Sequence, residues 1–141
     1  MTDIAELDIE EGIRDFLREN NNTITGSSNV IQIYVSNFPP EVTSLNAVAI
    51  LVRKAGGLAP HEELDLYKPW FQVWVRADTR EKAITLMKRI DTLLHRFGPK
   101  AINDDLFGLS IVRNTGIQRL DDPVTNLVQF FAVYASIVRA A

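Results

Sequence analysis

The sequence predicts an α+β fold: an antiparallel sheet of mixed-length strands, about four to five of them, with two amphipathic helices packed on one face. Two segments repeat apolar residues with the period of a helix, and several others are short, rich in branched and aromatic residues, and end at Gly, Pro or Asp. Short polar links connect them, which is typical of antiparallel neighbours. We expect one domain over residues 1–141, large enough to bury about two thirds of its unfolded surface.

The first helix is predicted over residues 8–19. Its apolar stripe consists of Ile9, Ile13, Phe16 and Leu17, and charged residues lie opposite. Asp8 followed by Glu11 is an Asp variant of the capping box, which places the helix start. We expect residues 1–7 to be flexible and residues 20–29 to form a polar loop, either a connector or an ordered loop that contacts a neighbour.

Two strands follow in the prediction. Residues 30–36 are rich in Val, Ile and Tyr and are stopped by the two prolines at 39–40. Residues 47–53 are apolar at nearly every position, which favours a strand buried on both faces, with a helix beginning near Ser44 as the alternative. Residues 54–58 contain two glycines and predict a turn, and residues 61–68 predict a polar connection.

The strand at residues 70–76 leads into the clearest helix, residues 78–96. That helix carries the capping pattern Asp78 with Glu81 and ends before Gly98 and Pro99. Its stripe comprises Ala83, Ile84, Met87, Ile90 and Leu94. Strands are then predicted over 107–113, with a continuation over 117–119 past a bulge or turn at Gly116, and over 127–138.

Composition excludes several classes of function. The net charge is -3 and no dense basic run occurs, which argues against sequence-independent binding of nucleic acid. Cysteine is absent, so disulfides and thiol chemistry are excluded. No apolar run reaches about 18 residues, so we expect no membrane span.

Candidates for chemistry are weak. His61 stands beside Glu62, Glu63 and Asp65, but one imidazole next to adjacent acids lacks the spacing of metal ligands. His95 fits a surface position near a helix end, where positive charge is favourable. We therefore expect no enzyme activity, no cofactor and no metal.

The stretch W-F-Q-V-W-V-R, residues 70–76, alternates in an unusual way. Phe71, Val73 and Val75 predict one buried face, whereas the opposite face carries two tryptophans. Such a face is either covered by the chain's own helices or buried against another protein. Unpaired burial of Gln72 or Arg76 would cost about 1–3 kcal/mol each, and Trp and Arg are enriched at interfaces, so we favour an interface.

The last predicted strand, residues 127–138, is also largely apolar on both of its faces. Two such strands expose more apolar surface than two helices of moderate length can cover. We therefore expect a homo-oligomer, and closed rings are the usual result when head-to-tail contacts close.

Four segments together resemble the tail terminator and minor capsid (tail completion) proteins of long-tailed bacteriophages. They are L-V-R-K-A-G-G (51–57), W-F-Q-V-W-V-R-A-D-T-R-E-K-A (70–83), G-I-Q-R-L-D-D (116–122) and Q-F-F-A-V-Y-A-S-I-V-R (129–139). The chain length and the order of elements also resemble that family.

The resemblance implies a structural virion protein at the head-proximal end of the tail, assembled in the bacterial cytoplasm. Such proteins form a hexameric ring on the tail tube, stop polymerisation of the major tail tube protein and present the docking surface for the head–tail connector, while DNA passes through without specific binding. An adaptor or stopper ring of the neck is the alternative, and a small ligand-binding domain is a further one. We expect the subunit or tube interface to include Trp70, Gln72, Trp74, Arg76, Arg113 and Arg119.

Overall fold

A computed structural model of the chain describes residues 8–43, 46–61 and 66–141. The helices are α1 (Ile9–Glu19), α2 (Asn21–Thr25) and α3 (Arg80–Leu94). The strands are β1 (Gln32–Val35), β2 (Ala49–His61), β3 (Leu66–Ala77), β4 (Lys100–Ala101), β5 (Leu106–Arg113), β6 (Gln118–Arg119) and β7 (Val128–Ala140). Two predictions fall outside the described residues. They concern the flexible segment 1–7 and the acids Glu62, Glu63 and Asp65, which follow His61.

The sheet is larger than predicted and is not wholly antiparallel. Its seven strands run in the order β1-β2-β3-β7-β5-β4, and β6 pairs with β7. β1 and β2 are parallel, whereas the other pairs are antiparallel. β4 and β6 have two residues each, too few to show a period in the sequence. The predicted continuation at 117–119 is present as β6, and β5 and β6 both pair with β7.

β2 corrects two expectations. The predicted turn at residues 54–58 is strand, because β2 continues to His61 and pairs with β3 along most of its length. Gly56 and Gly57 hold φ of 91° and 130° and coincide with a register shift, so the glycines form a bulge rather than a chain reversal. The alternative of a helix is wrong for residues 49–53, which pair with β3, and its expected start at Ser44 lies outside the described residues.

α1 begins as predicted. The side chain of Asp8 accepts a hydrogen bond from the backbone N–H of Glu11 at 3.1 Å. Packing explains why a glycine stands at position 12 inside the helix, because a Cβ there would collide with the side chain of Leu106 on β5. The polar loop 20–29 is partly helical, since α2 occupies its first half and ends at Gly26 in the left-handed conformation.

α3 begins and ends slightly inside the predicted range. Its N-cap is Thr79, which accepts from the N–H of Lys82, and Asp78 instead forms an ion pair with Lys82 at 3.1 Å. The buried residues of α3 are those of the predicted apolar stripe, except that Leu86 is buried in place of Ile84.

One hydrophobic core fills the space between the helices and one face of the sheet. The inward positions of β3, namely Phe71, Val73 and Val75, have no exposure, and Ala132 and Tyr134 of β7 share their side. α1 and α3 contribute their buried stripes to the same cluster. Two amphipathic helices on one face of a sheet were therefore predicted correctly. In the described part of the chain, no helix has the length and apolar character needed to cross a membrane.

Candidate assembly interface

The face of the sheet opposite the helices carries both tryptophans. Seven of the residues that strand alternation and register place on this side are named here the tryptophan face: Trp70, Gln72 and Trp74 of β3, Phe131, Val133 and Ala135 of β7, and Val112 of β5. None of the seven belongs to the core cluster. Six are half-buried and Val112 is 43% exposed.

Trp74 is fixed by its neighbours on this face. Its ring stacks on Phe131, with centroids 4.2 Å apart and an angle of 14° between the planes. Its indole N–H donates to the Oε1 of Gln72 at 2.9 Å. Gln72, which looked awkward in the sequence, therefore has a partner two residues away on the same face, and the aromatic surface is held in one arrangement.

The helices in the described part of the chain pack against the other side of the sheet. Leu51 of β2, in register with Trp74 on this side, is 4% exposed, whereas Val112 on β5 is open to solvent. Exposed apolar surface that is contiguous, rather than scattered, marks an interaction site. The sequence-based preference for an interface over a core covered by helices agrees with this placement, while contact with a partner remains a prediction.

Arg76 lies at one end of this face but is itself buried, with 2% exposure. Its Nε and Nη2 donate to the backbone carbonyl of Asn46 at 3.2 and 3.0 Å, and its guanidinium lies 4.2 Å from the centre of the Phe38 ring. Burial lowers the pKa of Arg76, and the nearby Asp122 carboxylate opposes that shift. The connection between β1 and β2 thus covers Arg76, which stabilises the chain's own fold.

The other two predicted arginines lie elsewhere. Arg113 is on the helix side, where its Nη1 donates to Asp91 at 2.7 Å. Arg119 is exposed on β6 and pairs with Asp121 at 2.9 Å. The structure therefore brings together Trp70, Gln72 and Trp74, with Arg76 buried at the end, and it separates Arg113 and Arg119 from them. Sequence reasoning missed Val112, because only the strand register shows which residues share the face.

A polar cluster lies between α3 and the sheet. The hydroxyl of Tyr134 donates a hydrogen bond to the Asp91 carboxylate at 2.8 Å, and the same carboxylate accepts a hydrogen bond from Arg113. The Nδ1 of His95 accepts from the backbone N–H of Arg113 at 3.0 Å. Burial, reinforced by the bond to Asp91, raises the pKa of the Tyr134 hydroxyl. These groups satisfy one another, so the cluster ties α3 to β5 and β7.

Tyr134→Phe is expected to lower the free energy of unfolding by about 2 kcal/mol near neutral pH, because a hydrogen bond to a carboxylate is lost. A tyrosine whose pKa is raised on folding contributes stability below the unfolded value of about 10 and loses it as the pH rises further. The difference between wild type and variant should therefore shrink above about pH 10. Denaturant titrations at several pH values measure this stability difference. A difference that stays constant across the pH range would contradict the hydrogen bond assigned between Tyr134 and Asp91.

Two concave regions lie on the helix side. A groove of about 550 Å³ runs between residues 25–31 and α3, with Ile31, Val48 and Leu86 among its lining residues. A smaller concavity of about 320 Å³ is lined by Asp15, Arg18, Glu19, Asn103, Asp104 and Asp105. Among the described residues, no group of three or more His, Asp or Glu side chains could hold a metal ion.

No protein-family model matches this chain, and no curated protein matches it at a significant level. Solved structures do match the fold. One is a chain of the virion of a native gene transfer agent particle, with a TM-score of 0.67 and 10% sequence identity. The match covers 94% of this chain and 95% of that chain, so the two share their fold over nearly the whole length.

Proposed function

We propose that this chain is a structural protein of a phage-like virion and, within that class, a tail terminator. In this role copies of the chain form a ring, expected to be a hexamer, on the head-proximal end of the tail tube. The ring stops polymerisation of the major tail tube protein and offers a docking surface to the head–tail connector. DNA crosses the central hole without specific contacts. The role is structural rather than catalytic.

The tryptophan face is the observation that carries this proposal. It is apolar, ordered by the stack of Trp74 on Phe131, and left open by the described helices. A surface of this kind is stable in water when another protein covers it. The shared fold with a chain of a gene transfer agent virion supports a place in a particle of that type.

A cap must match the tube on one side and fail to match a further tube layer on the other. The two edges of the described sheet differ in a way that could serve this requirement. At one edge the four residues of β1 cover only residues 49–52 of the long strand β2, and at the other the two residues of β4 pair with residues 107–108 of β5.

Tail length separates a terminator from the alternative neck proteins. In particles that lack this chain, a terminator role predicts tubes of uncontrolled length. Loss of an adaptor or stopper predicts tubes of normal length that do not join heads. Electron microscopy of such particles, with and without added purified protein, makes the distinction, and normal tubes joined to heads would contradict both roles.

The ring itself is tested by Val112→Asp. Val112 is 43% exposed on the tryptophan face, so the substitution should change stability little. A carboxylate buried at the contact should weaken self-association at least about tenfold, equivalent to about 1.4 kcal/mol. Multi-angle light scattering over a concentration series measures the effect.

Val124→Asp is the matched control. Val124 is 87% exposed, lies in the turn before β7, and is not one of the tryptophan-face residues. The Val124→Asp substitution should leave the association constant of the chain unchanged. Equal association by wild type and both variants would show that the tryptophan face is not the subunit contact.

The groove between residues 25–31 and α3 supports the competing role of a ligand-binding domain. That role predicts a stable monomer over the whole concentration range, with thermal stabilisation by a small apolar compound. Leu86→Trp, which would fill the groove, should abolish such stabilisation and leave self-association intact. The light-scattering series therefore decides between the two roles.

A further inference from the structure

Three basic side chains border the tryptophan face, while Asp122 lies near Arg76 at one end of it. Strand alternation places Arg53 of β2, Lys68 of β3 and Arg139 of β7 on this side of the sheet, and we call these three residues the basic rim. Arg53 pairs in register with Gln72, and Arg139 lies 4.4 Å from the centre of the Phe107 ring. Among the strand positions that the structure describes on this side, none is acidic.

A symmetric contact of the tryptophan face with itself has a cost in one of its geometries. When the two-fold axis runs along the strands, the basic rim of one copy meets the basic rim of the other, and like charges placed together across an interface cost several kcal/mol. An acidic partner surface avoids this cost and attracts all three basic residues.

The helix side of the same chain offers such a surface. Asp15 and Glu19 of α1 and Asp104 and Asp105 of the turn before β5 line one shallow concavity, and we call these four residues the acidic surface. Arg18 is the one basic residue in its lining. Asp104, Asp105 and Glu19 are exposed. The acidic surface and the tryptophan face lie on opposite sides of the sheet, so one copy can present both to two different neighbours.

We infer that the tryptophan face of one copy docks, through its basic rim, on the acidic surface of a second copy. The inference rests on the proposed assembly role and specifies the contact within it. The contact is head-to-tail, because its two halves are different surfaces. A head-to-tail contact closes into a ring when the rotation between neighbours allows it.

Paired charge reversals test this contact. One variant reverses the basic rim with Arg53→Glu, Lys68→Glu and Arg139→Glu. The other reverses the acidic surface with Glu19→Lys, Asp104→Lys and Asp105→Lys. Each variant alone should associate at least about tenfold more weakly than wild type, because its two halves now carry like charges.

An equimolar mixture should recover association, since every junction between the two variants again joins opposite charges. Native mass spectrometry should show both variants in equal numbers within one assembly. Circular dichroism of each variant checks that the monomers remain folded, and a chain carrying all six reversals should associate like wild type.

Several results would overturn the inference. If reversal of the acidic surface leaves association unchanged, the partner surface lies elsewhere. If the mixture yields only dimers of one copy of each variant, the contact joins two tryptophan faces. A wild-type chain that stays monomeric at about 1 mM also refutes it, since that is the weak limit of a specific contact.

Nucleic acid is the other polymer that aromatic and basic side chains on a sheet can bind, by stacking and phosphate contacts. We expect no mobility shift of a single-stranded oligonucleotide. A shift that is lost on reversal of the basic rim would replace the proposed partner. The tail-length experiment tests the proposed terminator role independently of this contact. If the charge reversals refute the contact, the terminator role is still decided by tail length.

Discussion

Arg76→Glu is expected to destabilise the fold by about 3–5 kcal/mol, a large part of the stability of a domain of this size. Three effects add in the same direction. The carbonyl of Asn46 loses both of its guanidinium donors, the contact with the Phe38 ring disappears, and a new carboxylate is buried near Asp122. Arg76 is 2% exposed, so water cannot replace the lost partners.

Arg53→Glu is the control for this substitution, since Arg53 is an exposed arginine on the same side of the sheet. It should change the free energy of unfolding by less than about 0.5 kcal/mol. Urea titration followed by circular dichroism measures both variants. An Arg76→Glu variant as stable as Arg53→Glu would show that the connection between β1 and β2 is not held by Arg76.

Gly57→Ala is expected to cost about 3 kcal/mol or more. The residue has a φ of 130°, and a Cβ there would lie 2.5 Å from the carbonyl oxygen of Lys68 and 2.8 Å from the Cα of Pro69. Both obstacles are backbone atoms of β3, so they can move only if the pairing of the two strands is disturbed. The bulge in β2 therefore requires glycine for space as well as for conformation.

Gly56→Ala separates these two causes. Gly56 also has a positive φ, 91°, but no atom lies within 4 Å of the position that its Cβ would take. It should lose about 1–2 kcal/mol, the strain of the backbone conformation alone. Thermal unfolding of the two alanine variants gives the comparison, and equal losses would mean that contact with β3 adds nothing at Gly57.

The helices and most strands could be predicted because their signals are local. Asp8 caps α1 where the capping pattern placed it, and the alternation in residues 70–76 correctly assigned Phe71, Val73 and Val75 to the core. These features depend on periods and caps within a few residues of each other.

The remaining features depend on contacts between segments distant in sequence. Nothing near residue 76 indicates that Asn46 and Phe38 will cover Arg76, so its burial could not be predicted from the strand pattern. The parallel pairing of β1 with β2 likewise joins two segments whose relative direction no local pattern indicates. Val112 joins the tryptophan face only through its register with Ala135.

The placement of Trp70 and Trp74 has a spectroscopic consequence. The chain has two tryptophans, and both lie on the same side of the sheet, half-buried and outside the core. Indole emission depends on the polarity around the ring, so the intrinsic fluorescence of the native chain reports on that one surface. Events that bury it shift the emission to shorter wavelength, and assembly can be followed in real time without attaching a dye.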